Sequence, residues 1–183
     1  SNAYGAELMV RKKSGRMSGW IGYSLSWTRR KFPDTYINFG NWYYPRWDRR
    51  HDFVVVSTYE INDRWEISGQ WKYNTGQGYT RALGTYTYHI PEYPSNFFNS
   101  ENRRMLFGAE NNYRFPADHR LDLSANYKHQ FFGLPAILNI SIYNVYSRRA
   151  IYYRDYNTDE NPVEVTDVKL LPILPMVAYE VKF

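Results

Sequence analysis

The chain has 183 residues, 43 % hydrophobic and 19 % aromatic, with 19 Tyr, 10 Phe and 6 Trp, a net charge of +5 and no cysteine. That length allows one domain or a large piece of a bigger protein, and the missing cysteines exclude a disulfide framework, a thiolate metal site and a cysteine nucleophile. The cations stand singly along the chain rather than in blocks, which argues against a nucleic-acid partner, and no apolar run of about 18 residues exists to form a transmembrane helix.

Ser1-Asn2-Ala3 reads as the remnant of an expression tag, so the domain is expected over 4–183. Seven strands are predicted: Tyr4–Lys12, Met17–Arg30, Arg49–Ile61, Arg64–Thr75, His119–His129, Ala136–Arg148 and Val165–Phe183. Their signature is period-two alternation. Trp65, Ile67, Gly69, Trp71 and Tyr73 share one face, and Glu66, Ser68, Gln70, Lys72 and Asn74 the other. Leu121, Leu123, Ala125 and Tyr127 alternate in the same way with Arg120, Asp122, Ser124, Asn126 and Lys128. The last strand holds Pro172 and Pro175, which suits an edge or a bulge. No segment shows helical apolar spacing.

The connections alternate in length. Short turns follow Lys12, Ile61 and His129, whereas long loops span Lys31–Asp48, Gly76–Asp118 and Arg149–Glu164. In an up-and-down sheet this sorts tight turns to one rim and long loops to the other, as in outer-membrane barrels. Strands of this length cover a bilayer when tilted. Aromatic residues gather near strand ends, Trp65 and Phe183 toward the tight turns, Trp27 and Tyr73 toward the loops. With Trp71, Leu121 and Leu123 they are the predicted lipid-facing and girdle positions. The predicted fold class is therefore all-β: an antiparallel up-and-down meander forming part of a transmembrane β-barrel. A soluble β-sandwich with an aromatic carbohydrate-binding loop is the alternative, and it requires Trp65, Trp71, Leu121 and Leu123 to be buried against protein.

Three segments and the C-terminal ending carry a family resemblance. Arg46-Trp47-Asp48-Arg49-Arg50-His51-Asp52-Phe53 and Asn112-Tyr113-Arg114-Phe115-Pro116-Ala117-Asp118-His119-Arg120-Leu121-Asp122-Leu123-Ser124 resemble strand entries of TonB-dependent outer-membrane receptors, with Asp118 where the family usually has Tyr. Tyr143-Asn144-Val145-Tyr146-Ser147-Arg148 is similar to the Asn-hydrophobic-aromatic-Asn-Arg motif of their penultimate strand, with Ser147 in place of Asn. The ending Tyr179, Val181, Phe183 resembles the signal read by the barrel-assembly machinery. The resemblance implies the C-terminal part of such a barrel in the outer membrane of a Gram-negative bacterium. It further implies a role in active nutrient uptake, with membrane lipid, a plug domain and TonB as partners and the nutrient unspecified.

No enzymatic constellation is assembled, and no cofactor is expected. His51, His89, His119 and His129 lack metal-ligand spacing, and His119 reads as a rim histidine bonded to its sequence neighbours. The acidic segment Asp155, Asp159, Glu160, Glu164, Asp167 lacks the order of a calcium loop and reads as solvated, so no metal site is predicted. Trp42, Tyr43, Tyr44, Arg46 and Trp47 are the candidate ligand-binding residues, since aromatic faces stack on sugars or aromatic ligands and Arg46 suits an anion. The same stretch also reads as an upper membrane girdle. Tyr79, Tyr86, Tyr88 and Tyr93 pose the same question in the longest loop. Glu66, Lys72, Arg120, Asp122, Glu180 and Lys182 are expected to form a charge network on the polar face.

Overall fold

A computed structural model of the chain describes residues 1–33, 37–87, 103–157, 160 and 163–183. Strand makes up 66 % of it and no α-helix occurs among the described residues. The strands are β1 (Asn2–Lys12), β2 (Met17–Arg29), β3 (His51–Glu60), β4 (Trp65–Asn74), β5 (Gly78–Tyr79), β6 (Ala82–Thr87), β7 (Arg103–Phe107), β8 (Tyr113–Arg114), β9 (Asp118–Phe131), β10 (Leu134–Tyr143), β11 (Ile151–Asn157), β12 (Glu164–Lys169) and β13 (Leu174–Val181). Seven of them form one antiparallel sheet in the order β1-β2-β3-β4-β9-β10-β13. The sheet is open, not a closed barrel: β1 and β13 are its two edges.

Tight turns at one end follow from local chemistry. Phe132 and Gly133 take φ 48° and 81°, positive values that suit a two-residue turn matching strand twist, and Gly15 takes φ 85° in the longer turn between β1 and β2. In the third turn the Asn62 carboxamide oxygen accepts the amides of Arg64 and Trp65, both at 2.9 Å, and closes the hairpin with a side chain.

The loop end departs from expectation in three places. Two of the long loops are not structureless: β5 pairs with β8 and β6 with β7 in the second, and β11 with β12 in the third, so both fold back on themselves. The strand expected over Ala136–Arg148 stops at Tyr143, because Asn144 turns left-handed at φ 55°. The strand expected over Val165–Phe183 is two, β12 and β13, separated by a link containing Pro172. Pro175 remains in β13 opposite Ile142, where its missing N–H faces the open edge. Asn2 and Ala3 extend β1 by pairing with Arg29 and Thr28. His89, Tyr88, Tyr93 and Asp159 lie outside the described residues.

The register steps steadily in one sense. The row starting at Lys12, the last residue of β1, passes through Gly19, Ser57, Gly69, Leu123 and Ile142 and reaches Pro175, the second residue of β13. Each strand is thus displaced along its neighbour, the stagger a sheet needs if its strands are to tilt around a barrel axis.

Almost nothing is buried. Phe115, Ala136 and Pro45 are buried apolar side chains among the described residues. Among the described residues the sheet is a single layer without a second sheet packed on it, so its order rests on ladder hydrogen bonds and cross-strand side-chain pairs.

Candidate functional site

Register fixes what each face offers. On one face Tyr4, Ala6, Leu8 and Val10 of β1 stand beside Trp27, Leu25, Tyr23 and Ile21 of β2. The same face continues through Phe53, Val55 and Tyr59, then Ile67, Trp71 and Tyr73, then Leu121, Leu123 and Tyr127. It ends in Leu138, Ile140 and Ile142 against Tyr179, Val177 and Pro175. It is apolar across all seven strands and uncovered, with Leu8 64 % and Val177 72 % exposed. The predicted positions Trp27, Trp65, Trp71, Tyr73, Leu121 and Leu123 all lie on it, and Phe183 projects fully exposed past β13.

Rings concentrate toward its two ends. Near the loops, Tyr4 stacks on Trp27 at 5.3 Å, and Tyr23 and Tyr146 reach His51 and His119 at 2.8 and 2.9 Å. His119 is thus bonded to Tyr146, not to its sequence neighbours as expected. Near the tight turns, Trp65 packs on Tyr127 at 4.7 Å, and His129 meets the Tyr179 hydroxyl at 2.9 Å. This last contact reaches from β9 to β13 over Ala136 of β10, whose small side chain is the one that fits beneath it. Tyr179 and Val181 of the predicted assembly signal share the apolar face. Aliphatic side chains such as Ile67, Leu123, Ile140 and Val177 fill the band between.

The opposite face is polar, but its charges form local clusters rather than one network. Arg120 pairs with Asp122 at 3.0 Å and donates to the Tyr143 hydroxyl at 2.5 Å. Glu66 accepts from Asn126 at 3.0 Å and lies 3.7 Å from Lys128, while Glu180 and Lys182 meet at the sheet's end at 3.9 Å. Between these banks Ser18, Thr58, Ser68, Ser124 and Ser141 stand in register and leave a shallow trough.

At the loop rim two polar groups are fully buried, and the first is Asp48, 2 % exposed. Its carboxylate accepts the Thr28 amide at 2.7 Å and a charge-assisted bond from Arg114, with Arg50 at 3.6 Å. Arg114 also donates to the Gly76 carbonyl at 3.1 Å within the second loop, so its bond to Asp48 ties the first loop to the second. Gly76 has no space for a side chain, since a Cβ there would meet the Phe115 carbonyl. Asn144, 1 % exposed, plays the same part for the third loop. Its amide donates to Asp122 at 2.9 Å, its carboxamide donates to the carbonyls of Arg148 and Leu171 at 2.9 and 3.0 Å, and it accepts the Arg148 amide at 3.1 Å.

The five predicted ligand-binding residues are not brought together. Tyr43 bridges to Arg30 and sits beside Phe32, Trp47 lies under Arg30 at 4.6 Å, and Trp42 stays exposed. Tyr44 turns toward Arg29, whose guanidinium donates to its hydroxyl at 2.8 Å and holds the phenol below its usual pKa range. Arg46 alone reaches a concavity where all three loops meet, a cleft of about 170 Å³ lined also by Tyr79, Phe115, Tyr153, Arg154 and Tyr156. There Tyr79 stacks on Phe115 at 4.2 Å, and Arg154 forks onto Asp167 at 2.7 and 3.0 Å. That pair holds the Asp167 carboxyl below its ordinary range and removes it from the expected solvated acidic loop. The sequence reading missed Phe115, Tyr153 and Tyr156, because their meeting depends on hairpins too short to show a period. No cluster of metal-ligating side chains occurs among the described residues. No protein-family model, curated protein or solved structure matches the chain.

Proposed function

We propose that the chain is a wall segment of a TonB-dependent receptor for active nutrient uptake across the outer membrane of a Gram-negative bacterium. The observation that carries this reading is the continuous apolar face, seven strands wide and without a protein layer against it. In water, a face of that size drives association, whereas lipid tails satisfy it without further packing. The polar face, the ring-rich ends, the sorted loops and the one-sense register stagger support the same reading. A water-soluble sandwich asks for buried Trp65 and Leu123, yet each is 39 % exposed.

In this reading the wall's part is passive. Its strands satisfy their backbone groups through one another inside the bilayer, and the loops help to hold the nutrient. A plug and TonB supply the energised step, and Tyr179, Val181 and Phe183 serve insertion by the assembly machinery. β1 and β13 run in the same sense, so antiparallel closure takes an odd number of further strands.

The test is tryptophan quenching by brominated phosphatidylcholine after reconstitution of the full chain. Strong quenching is expected, and it should fall when Trp65 and Trp71, both on the apolar face, are replaced by Phe. Tryptophans shielded from bromine, in a chain that stays monomeric without detergent, would overturn the assignment.

A further inference from the structure

A group of cations lies just above the ring-rich belt at the loop end of β2, on the apolar side of the sheet. Arg29 follows Trp27 on that face, and the Arg30–Tyr43 bridge sets Arg29 opposite Tyr44 and Lys31 opposite Trp42. Both the Nε and Nη2 groups of Arg29 donate to the Tyr44 hydroxyl, at 3.1 and 2.8 Å. The Arg50 guanidinium sits between two rings, 4.7 Å from that of Trp27 and 5.6 Å from that of Tyr44. Three positive side chains therefore converge on one phenol, Arg114 being the third at 5.8 Å.

Carboxylate compensation is incomplete. Asp48 is the acid nearest the cluster, and its buried oxygens are engaged by Arg114 and the Thr28 amide before they reach Arg50 at 3.6 Å. Among the described residues no carboxylate lies within ion-pair distance of Arg29 or Lys31. The pKa of Tyr44 is lowered chiefly by the hydrogen bonds that Arg29 donates to its hydroxyl, with smaller contributions from Arg50 and from the positive charge of both. An anion is the missing complement. A ligand resting on Trp27 and Tyr4 immediately below would in addition carry apolar tails.

We propose that Arg29, Lys31, Arg50 and Tyr44 form a headgroup site for a membrane lipid bearing a phosphomonoester, its acyl chains lying along Tyr4, Trp27 and Leu8. The proposal rests on the membrane reading above. Guanidinium groups donate paired hydrogen bonds to phosphate oxygens, and a phosphomonoester near neutral pH carries more than one negative charge. A phosphate held here would be fixed at the water boundary while its tails extend the lipid layer along the wall. Such a site fastens the barrel to one leaflet by chemistry rather than by thickness alone.

The full chain in dodecyl maltoside is titrated with dioctanoyl phosphatidic acid, with dioctanoylglycerol and with inorganic phosphate, and binding is followed by calorimetry. Phosphatidic acid is expected to bind, dioctanoylglycerol and inorganic phosphate each at least about tenfold more weakly. Joint replacement Arg29→Gln and Lys31→Gln should weaken the lipid about tenfold, the scale of lost charge-assisted bonds. Lys169→Gln, on β12, should leave it unchanged. Equal binding of dioctanoylglycerol, equal binding of inorganic phosphate, or an unaffected double variant would each overturn the lipid-phosphate site. The brominated-lipid measurement runs separately on the same variants, so a failed membrane reading shows as unquenched rings, whereas a failed headgroup site leaves quenching intact.

Discussion

Two buried polar residues, Asp48 and Asn144, organise the loop end, and each does so with side-chain atoms that reach backbone. Asn144 suits its place because Asn tolerates left-handed backbone and its carboxamide can donate and accept together. Asn144→Ala loses both advantages and should cost about 3 kcal/mol, read as a lower urea midpoint for unfolding from detergent micelles. Ser147 is also left-handed, at φ 53°. Gly76→Ala places a methyl against the Phe115 carbonyl, so rapid proteolysis within 76–117 is expected even if the seven-strand sheet survives. Asn144 was legible from sequence, but its pairing with Asp122 and Leu171 was not, since they lie 22 and 27 residues away.

Among the elements, the β11–β12 hairpin stands apart from the wall and is fastened by the Arg154–Asp167 fork. The folded-state pKa of Asp167 is depressed, so its contribution is complete above the unfolded carboxyl value and fades as pH falls through the folded one. Hydrogen-exchange protection of 151–169, corrected for intrinsic rates, should therefore be constant near neutrality and decline once pH drops below about 4. Asp167→Asn should abolish that dependence and lower protection at neutral pH by no more than about 1 kcal/mol, because both partners are part-exposed. The segment expected as the last strand, Val165–Phe183, teaches a complementary lesson. Its two prolines were visible in the sequence and argued for an edge. Only the fold shows that Pro172 divides the segment while Pro175 stays inside the strand, because a proline is harmless where its nitrogen faces outward.

As a whole molecule, a one-layer sheet with two open edges and an uncovered apolar face is unstable against association in water. Removal of detergent should convert the chain to aggregates that bind thioflavin or sediment, whereas micelles should preserve a monomer with a β-rich circular dichroism spectrum. Sequence alone determined which side of each strand is apolar, because a period of two is a local property that every strand carries by itself. It likewise determined the sorting of short and long connections. Tertiary structure decided the rest: the stagger between strands, the folding of the loops into hairpins, and the placing of Tyr44 among Arg29 and Arg50 rather than beside Trp42. Those outcomes join residues distant in the chain, and which of them meet is set by the path of the backbone, to which a local pattern gives no access.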